Sequence, residues 1–487
     1  MFTRLRKHNN DKKVYLGEQL MKKLKEIKLE DILVLFIILC PILDMLSFLF
    51  RNHFGTSKSP STFIRPLIPA IAIAIIFFKN KIKLKLFIGF CIYAIYGVIH
   101  LILYKLNITG ISYGSIAHEA QYIINYSYMI LNLFIYIFIF YKKDTFKLKN
   151  GVLVALAIYI VSIYIAILTG TSSSTYVEGM GYKGWFEQGN SLSSIFMLGL
   201  LLLMPLGKNK KYIKYLLPLL LLIGIFLTTL IGTRVGMFGF ALVCITYIAI
   251  EASIAIKNKL KLNKKVITVL GIIAIAVICI VIFAGSTTLQ RRKHLESIEN
   301  NIIDSSTGEA SHIGGDILRF KEEIESGINE EWKFSEAEKK SILELYKFAN
   351  AHNVKNTDRR TQQLVYNFYL VKNQKSLPLI LFGNGHLNNY GELILEMEIP
   401  AFLFNFGIIG FILYFVPFLS IFTYGVYIFF KKFKQVDTEF MMYLIGCFVA
   451  FALSFFAGYT FFNSSTMMII ILMNVLLINK CIELKNT

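Results

Sequence analysis

The sequence predicts an all-α polytopic membrane protein of about twelve transmembrane helices, with one large, mostly helical extracytoplasmic loop domain between helices nine and ten. Three observations predict it. Hydrophobic residues make up 55% of the 487 and aromatic residues 14%, with a mean hydropathy of +0.58, too apolar for a soluble chain of this length. Apolar runs long enough to cross about 30 Å of hydrocarbon as helices recur along the chain. Lysine and arginine collect in alternate short connections, the pattern that the positive-inside rule reads as topology.

The first 31 residues form a basic leader expected in the cytoplasm. Leu16, Leu20, Leu24 and Ile27 recur there at helical spacing between lysines, which suits a helix lying on the inner membrane face or, equally, a solvated basic tail. The first apolar run begins only at residue 32, and no small-residue cleavage site precedes it, so the first span is expected to act as its own insertion signal. Nine spans are then expected within residues 32–285, at about 32–50, 63–78, 86–104, 120–141, 151–169, 190–206, 213–231, 235–256 and 266–285. The long connection 286–399 follows, then three spans at 402–430, 440–460 and 464–479 and a short tail, 480–487. Boundaries are ambiguous only in 207–234 and 457–466.

Well over half of the 51 Lys and Arg residues fall in segments 1–30, 79–85, 142–149, 207–214, 257–265, 431–439 and 480–487. The opposite short connections and the spans hold only Arg51, Lys58, Arg65, Lys105, Lys183 and Arg234. Both termini are therefore expected in the cytoplasm, and the long connection outside. The formal charge of +20 is dispersed over separate cytoplasmic segments and builds no single patch, which argues against a nucleic-acid partner and for anionic membrane lipids. All six cysteines lie in or beside spans, so neither a disulfide nor a metal site is expected.

Two charged positions inside apolar surroundings need an explanation. Asp44 lies in the first span, where an unpaired carboxylate would be costly, so Arg51 or Arg65 is expected to neutralise it. Arg234 sits in FLTTLIGTRVGMFGF, at the expected outer end of spans seven and eight, either as a functional cation or as an arginine reaching the aqueous boundary. Within the long connection, Ser335 opens a Ser-x-x-Glu capping pattern. From Asp358 the chain runs through an amphipathic helix, a Gly-rich turn and a further helix into span ten.

Four stretches resemble the O-antigen ligase and polymerase family of bacterial membrane glycosyltransferases. GYKGWFEQGNSLSSIF, 181–196, is similar to the family's glycine, aromatic and asparagine stretch opening span six, and LIGTRVGMFGF to its small-Thr/Ser-Arg motif between spans seven and eight. Arg360 to Leu364 resembles the loop's Arg-x3-Leu, and PLILFGNG the Pro-Leu-aliphatic-Gly-x-Gly turn. The resemblance covers roughly residues 150–480, the first four spans matching in hydropathy alone. Where the ligases carry the histidine of a His-x10-Gly pattern, counting back from Gly407 reaches Glu396, and His386 lies ten residues earlier.

The resemblance implies transfer of a glycan from a polyprenyl diphosphate carrier on the outer face of the bacterial cytoplasmic membrane, with no cofactor and no metal. It implies polymerisation of lipid-linked oligosaccharide repeat units into a capsule, exopolysaccharide or O-antigen type of polysaccharide, or, as alternative, ligase-like transfer of a finished glycan. A flippase and a chain-length regulator would be partners. A rival class is a secondary transporter or flippase, against which stand the long outer connection and the mostly charge-free spans. Arginine suits a departing diphosphate because its planar fork donates paired hydrogen bonds and stays charged, which nominates Arg234 and Arg360, with Arg359 beside them. A carboxylate can deprotonate the acceptor hydroxyl, which nominates Glu396; Glu398, two positions on, is expected to point about 200° away if both are helical, and His386 is the other candidate base. The alternative for the two carboxylates is capping the start of span ten. Trp185, Phe186 and Asn190 suit sugar recognition, or an interfacial aromatic belt.

Overall fold

The structure is a computed structural model that describes residues 28–486 apart from 57–58, 79–83, 107–114, 177–178, 300–315, 328–333, 355–357, 387–393, 457 and all of 258–286 except Gly271, Ala274 and Ile278. The membrane helices in chain order are α1 (Leu29–Phe54), α2 (Pro60–Phe78), α3 (Leu84–Lys105), α4 (Ile116–Phe140), α5 (Phe146–Leu168), α6 (Gly189–Leu203), α7 (Lys210–Ile225) and α8 (Arg234–Lys257). The loop region contributes α9 (Thr287–Glu299), α10 (Asp316–Ser326), α11 (Glu336–Ala351), α12 (Arg359–Gln374) and α13 (Leu377–Phe382). Then come α14 (Glu398–Tyr414), α15 (Val416–Lys431), α16 (Thr438–Phe456) and α17 (Ser464–Asn486). Among the described residues ten helices are long and apolar enough to cross a membrane, and α14 with α15, bent by 47°, adds an eleventh. The expected span 402–430 is thus a broken one, and the expected span 266–285 and the basic leader fall almost wholly outside the described residues.

The bundle is organised around α6 and α17, whose apolar windows are 89% and 72% buried. Both read as apolar on every face, without the one-sided stripe of a surface helix, and such helices belong inside. Helix α17 packs against α4, α6, α15 and α16, and α6 also lies against α8. Small residues let these axes approach: a side chain at Gly199 of α6 would meet Leu156 of α5 at 2.7 Å.

The ambiguous stretch 207–234 resolves into distinct pieces. Asn209 caps α7 by accepting from the Lys211 N–H at 3.0 Å. Helix α7 ends in a π-turn, Phe226–Leu230, where the Thr228 and Thr229 hydroxyls donate back to the Gly224 and Ile225 carbonyls at 2.7 and 2.6 Å and compete with the regular ladder. The loop after it ends at Thr233, whose hydroxyl accepts from the Gly236 N–H at 3.0 Å and starts α8 with Arg234 as its first residue.

The loop helices have a core of their own, from Phe320, Phe334, Ile342, Leu345, Tyr366, Leu370 and Leu379. Ser335 and Glu338 form the expected reciprocal capping box at the start of α11. A two-stranded hairpin, β1 (Ser173–Ser174) and β2 (Tyr182–Gly184), connects α5 to α6.

The turn after α13 crosses the middle of α14 with the two backbones in contact. Gly407 interrupts α14 at φ 67°, ψ −174°, a region essentially confined to glycine, and a Cβ there would lie 2.4 Å from the Leu381 carbonyl. Gly383 (φ 81°) meets Asn405 as closely, at 2.3 Å. The interruption frees backbone acceptors, which the turn uses: the Asn384 and Gly385 N–H groups donate to the Phe404 and Asn405 carbonyls at 2.9 and 3.0 Å.

Candidate active site

Arg360, Glu396 and Glu398 meet the segment that joins α16 to α17. Arg360, in the first turn of α12, donates from Nε to Glu396 Oε2 at 3.4 Å and from Nη1 to the Phe456 carbonyl. The Glu396 backbone N–H donates to Gln363 Oε1 at 3.0 Å, which fixes the chain that carries the carboxylate. Gly458 lies so close over Glu396 that a Cβ there would be 2.5 Å from the Glu396 carbonyl. Glu396 therefore stands in an extended stretch before α14, whose N-cap is Met397, and the helical geometry expected for the Glu396 and Glu398 pair does not occur.

The two carboxylates still diverge, for another reason. Glu398 is fully buried, and its oxygens accept from the Thr460, Phe461 and Phe462 N–H groups at 2.7, 2.8 and 2.6 Å. Its carboxylate is thereby committed to shaping residues 460–462. The Glu396 side chain keeps 31% of its surface exposed and faces Arg360. Between them Tyr459 adopts φ 55°, and its phenol pKa is raised, first by burial and then by the Glu396 and Glu398 charges, against the Arg360 charge.

A second group gathers at Tyr176, just after β1. The Arg291 guanidinium of α9 stacks 3.4 Å above the Tyr176 ring, a cation–π geometry. Burial raises the Tyr176 phenol pKa, and the charges of Arg291, Arg234 and Arg360, from α9, α8 and α12, all oppose that rise. Arg234 is exposed at the N-terminus of α8, where the helix dipole adds positive potential to its own. Arg359, the residue before Arg360, is exposed in the same turn of α12.

His386 ends the Gly-Asn-Gly turn and is buried against α4, with its ring stacked on Tyr122 at 3.7 Å and 6°. Its backbone N–H donates to Glu119 Oε2 at 2.9 Å, and Glu119 Oε1 lies 2.8 Å from His100 Nε2. His100 Nδ1 is in turn 2.8 Å from the Phe382 carbonyl, and the Tyr96 hydroxyl donates to the Phe406 carbonyl at 2.7 Å. These buried groups of α3 and α4 grip the turn and the interruption in α14 together.

The stretch expected to recognise sugars divides. Trp185 donates from Nε1 to Thr171 Oγ1 at 2.9 Å on the hairpin, while Phe186, Gln188 and Ser191 face a polar cavity of about 250 Å³. Neither Trp185 nor Asn190 is among that cavity's wall residues. Asp44 lines it too, bonded to Arg65 and to the Tyr159 hydroxyl, so Arg65 is its partner, whereas Arg51 pairs with Glu187 at 3.3 Å.

The structure thus brings Arg234, Arg360 and Glu396 into one neighbourhood, with Arg359 at its edge, and sets His386, Trp185 and Asn190 in other surroundings. It adds Arg291 and Tyr176, which pattern reading did not single out. Arg291 stands in the basic run Arg291, Arg292, Lys293 directly after the expected ninth span, a signal of headgroup-level charge. Chemically the cluster offers fixed cations for a polyanion beside one accessible carboxylate. No curated protein and no solved structure matches the chain. A family model described as O-antigen ligase like membrane protein matches residues 26–483, and the chain belongs to that family, whose activity is glycan transfer or polymerisation at a membrane.

Proposed function

We propose that this protein polymerises polyprenyl-diphosphate-linked oligosaccharide repeat units into a cell-surface polysaccharide on the outer face of the bacterial cytoplasmic membrane. The observation that carries the reading is the Arg360–Glu396 pair, with Arg291 stacked on Tyr176 and the charges of Arg234, Arg291 and Arg360 all felt at that ring. The arginines hold the donor's diphosphate, and Arg360 exchanges Glu396 for a phosphate oxygen when the donor enters. The acceptor hydroxyl then attacks the anomeric carbon, its proton passes to Glu396, and the bond from that carbon to the diphosphate oxygen breaks with its electron pair leaving on the diphosphate. Arginine charge does the work that a metal does in other diphosphate transfers, so the reaction proceeds without one. The expected partners are a flippase that delivers the donor and a chain-length regulator.

The family description favours a second reading, transfer of a finished glycan to another acceptor. One experiment separates them: purified protein in nanodiscs is incubated with lipid-linked oligosaccharide, with and without chelator. A ladder of products, unchanged by chelator, supports the polymerase. A single transfer product that needs a separate acceptor supports the ligase reading. Absence of any product, with movement of the lipid-linked glycan across a vesicle membrane, overturns both in favour of transport.

A further inference from the structure

The polar cavity beside the arginine cluster has no role in the donor chemistry just described, and its walls have a chemistry of their own. It has a volume of about 250 Å³ and is walled by the outward-facing ends of α1, α2 and α4, the start of α6 and the residues leading into α17. That volume lies just under the usual range for small-molecule sites, roughly 300–1,000 Å³, which suits a terminal sugar rather than a long glycan.

Its charges are already matched. Arg65 is paired with Asp44 and Arg51 with Glu187, two cations against two carboxylates, so the cavity has no surplus positive charge to attract a diphosphate. The arginine cluster at Tyr176 differs in this, and the two sites are sorted by charge. What the cavity wall does present is neutral hydrogen-bonding capacity. Gln121 and Asn125 contribute amides able to donate and accept, Gln188 and Asn463, whose oxygens accept from the Ser191 hydroxyl and from the Ser465 and Thr466 N–H groups, contribute NH2 donors, and serine hydroxyls stand among them. Phe186 and Phe462 give the wall two apolar rings. Amides and hydroxyls around an aromatic surface match the face and the edges of an uncharged pyranose.

A single segment ties this cavity to Glu396. Phe456 at one end of it accepts from Arg360, and Gly458 covers the Glu396 carbonyl. Glu398 holds the Thr460, Phe461 and Phe462 amides, and Phe462 and Asn463 then form part of the cavity wall. The Ser191 hydroxyl, from the opposite wall, donates to the Tyr459 carbonyl at 2.9 Å. A sugar seated in the cavity therefore rests against the same stretch, 458–463, that frames the carboxylate.

We propose that this cavity is the acceptor site, binding the terminal, uncharged sugar of the acceptor glycan and presenting its hydroxyl toward Glu396; the assignment rests on the glycan-transfer reading above. The test uses the purified full chain in nanodiscs, probed against an immobilised panel of uncharged and of carboxylate-bearing oligosaccharides, and in parallel assayed for turnover of lipid-linked oligosaccharide. Gln121 and Asn125 have exposed side chains, so Gln121→Leu with Asn125→Leu leaves the helix packing intact. The wild type is expected to retain uncharged oligosaccharides, and the double variant to lose retention at least about tenfold and to raise the KM for acceptor more than it lowers kcat. Arg360→Ala is expected to abolish turnover while retaining the same oligosaccharides. Failure of the wild type to retain any uncharged oligosaccharide, preference for the acidic ones, or retention by the double variant equal to wild type would each overturn the acceptor site. Normal turnover by Arg360→Ala would instead overturn the donor-site reading and leave the cavity result standing by itself.

Discussion

Arg360 and Glu396 are joined by a hydrogen bond of 3.4 Å from Nε to Oε2, with 38% and 31% of the two side chains exposed. An ion pair at that exposure contributes of the order of 1 kcal/mol or less, so an incoming diphosphate can open it. Replacing Glu396 with Gln keeps the size and removes proton acceptance, and turnover should fall by roughly 10²–10⁴ with donor binding little changed. Glu396→His restores a base at the same place and should recover part of that loss. Steady-state rates of product formation check both, and normal turnover by Glu396→Gln would transfer the base role elsewhere.

The arginine cluster makes a separate prediction. If Arg234 and Arg291 stabilise charge on the departing diphosphate, Arg234→Lys keeps charge without the planar fork and should reduce kcat in part, while Arg234→Ala should reduce it by about 10²–10³. Arg291→Ala should behave like Arg234→Ala and should also remove the cation from the Tyr176 ring. Single-turnover rates at saturating donor distinguish lost chemistry from lost binding.

How much of this was legible in the sequence depended on how far each feature reaches along the chain. Spans were legible because lipid imposes a local rule, a run of apolar residues, and the Ser335 cap because its partner is three residues away. The interruption of α14 at Gly407 was not, since it depends on Gly407 meeting Leu381 across the turn. The helical placement of Glu396 failed where a local signal existed: Pro400, in the first turn of α14, marks a helix starting just before it. Which of Arg51 and Arg65 pairs with Asp44, and the meeting of Tyr176 with Arg291, rest on tertiary packing and had no signature in spacing.

The crossing of the two glycine segments predicts an asymmetric cost of adding one methyl. Gly407→Ala strains a backbone region that alanine avoids and also drives Cβ against the Leu381 carbonyl at 2.4 Å. Gly55→Ala, at φ 61°, carries backbone strain alone, because nothing lies within 4 Å of its Cβ position. Thermal unfolding of the two variants in detergent should show a clearly larger loss for Gly407→Ala. Equal losses would mean that α14 relaxes away from the turn.

The distribution of Lys and Arg predicts orientation. A cysteine at Ser376, between α12 and α13, should react with a membrane-impermeant reagent added to whole cells, and one at Lys434, between α15 and α16, should react only after lysis. The reverse pattern would invert the topology and place the arginine cluster on the cytoplasmic side.

Glu187 supplies a prediction in pH. Its carboxyl, in the loop before α6, has a pKa raised above the ordinary value by burial first, with Asp44 adding to the rise and Arg51, Arg65 and Lys183 opposing it. Between the unfolded carboxyl's pKa and the higher folded one, the folded state binds the proton and the unfolded state does not. Stability from this group is therefore fully present below the unfolded value and is lost as pH rises through the folded one. Glu187→Gln removes the titration, so melting temperature in detergent, measured from pH 4 to pH 8 or so, should fall less steeply with rising pH in the variant. Arg51→Ala removes the facing cation, 3.3 Å away, and should carry the wild-type decline to higher pH. If Glu187→Gln leaves the slope unchanged, the Arg51 pair has cancelled the effect of burial in the folded protein.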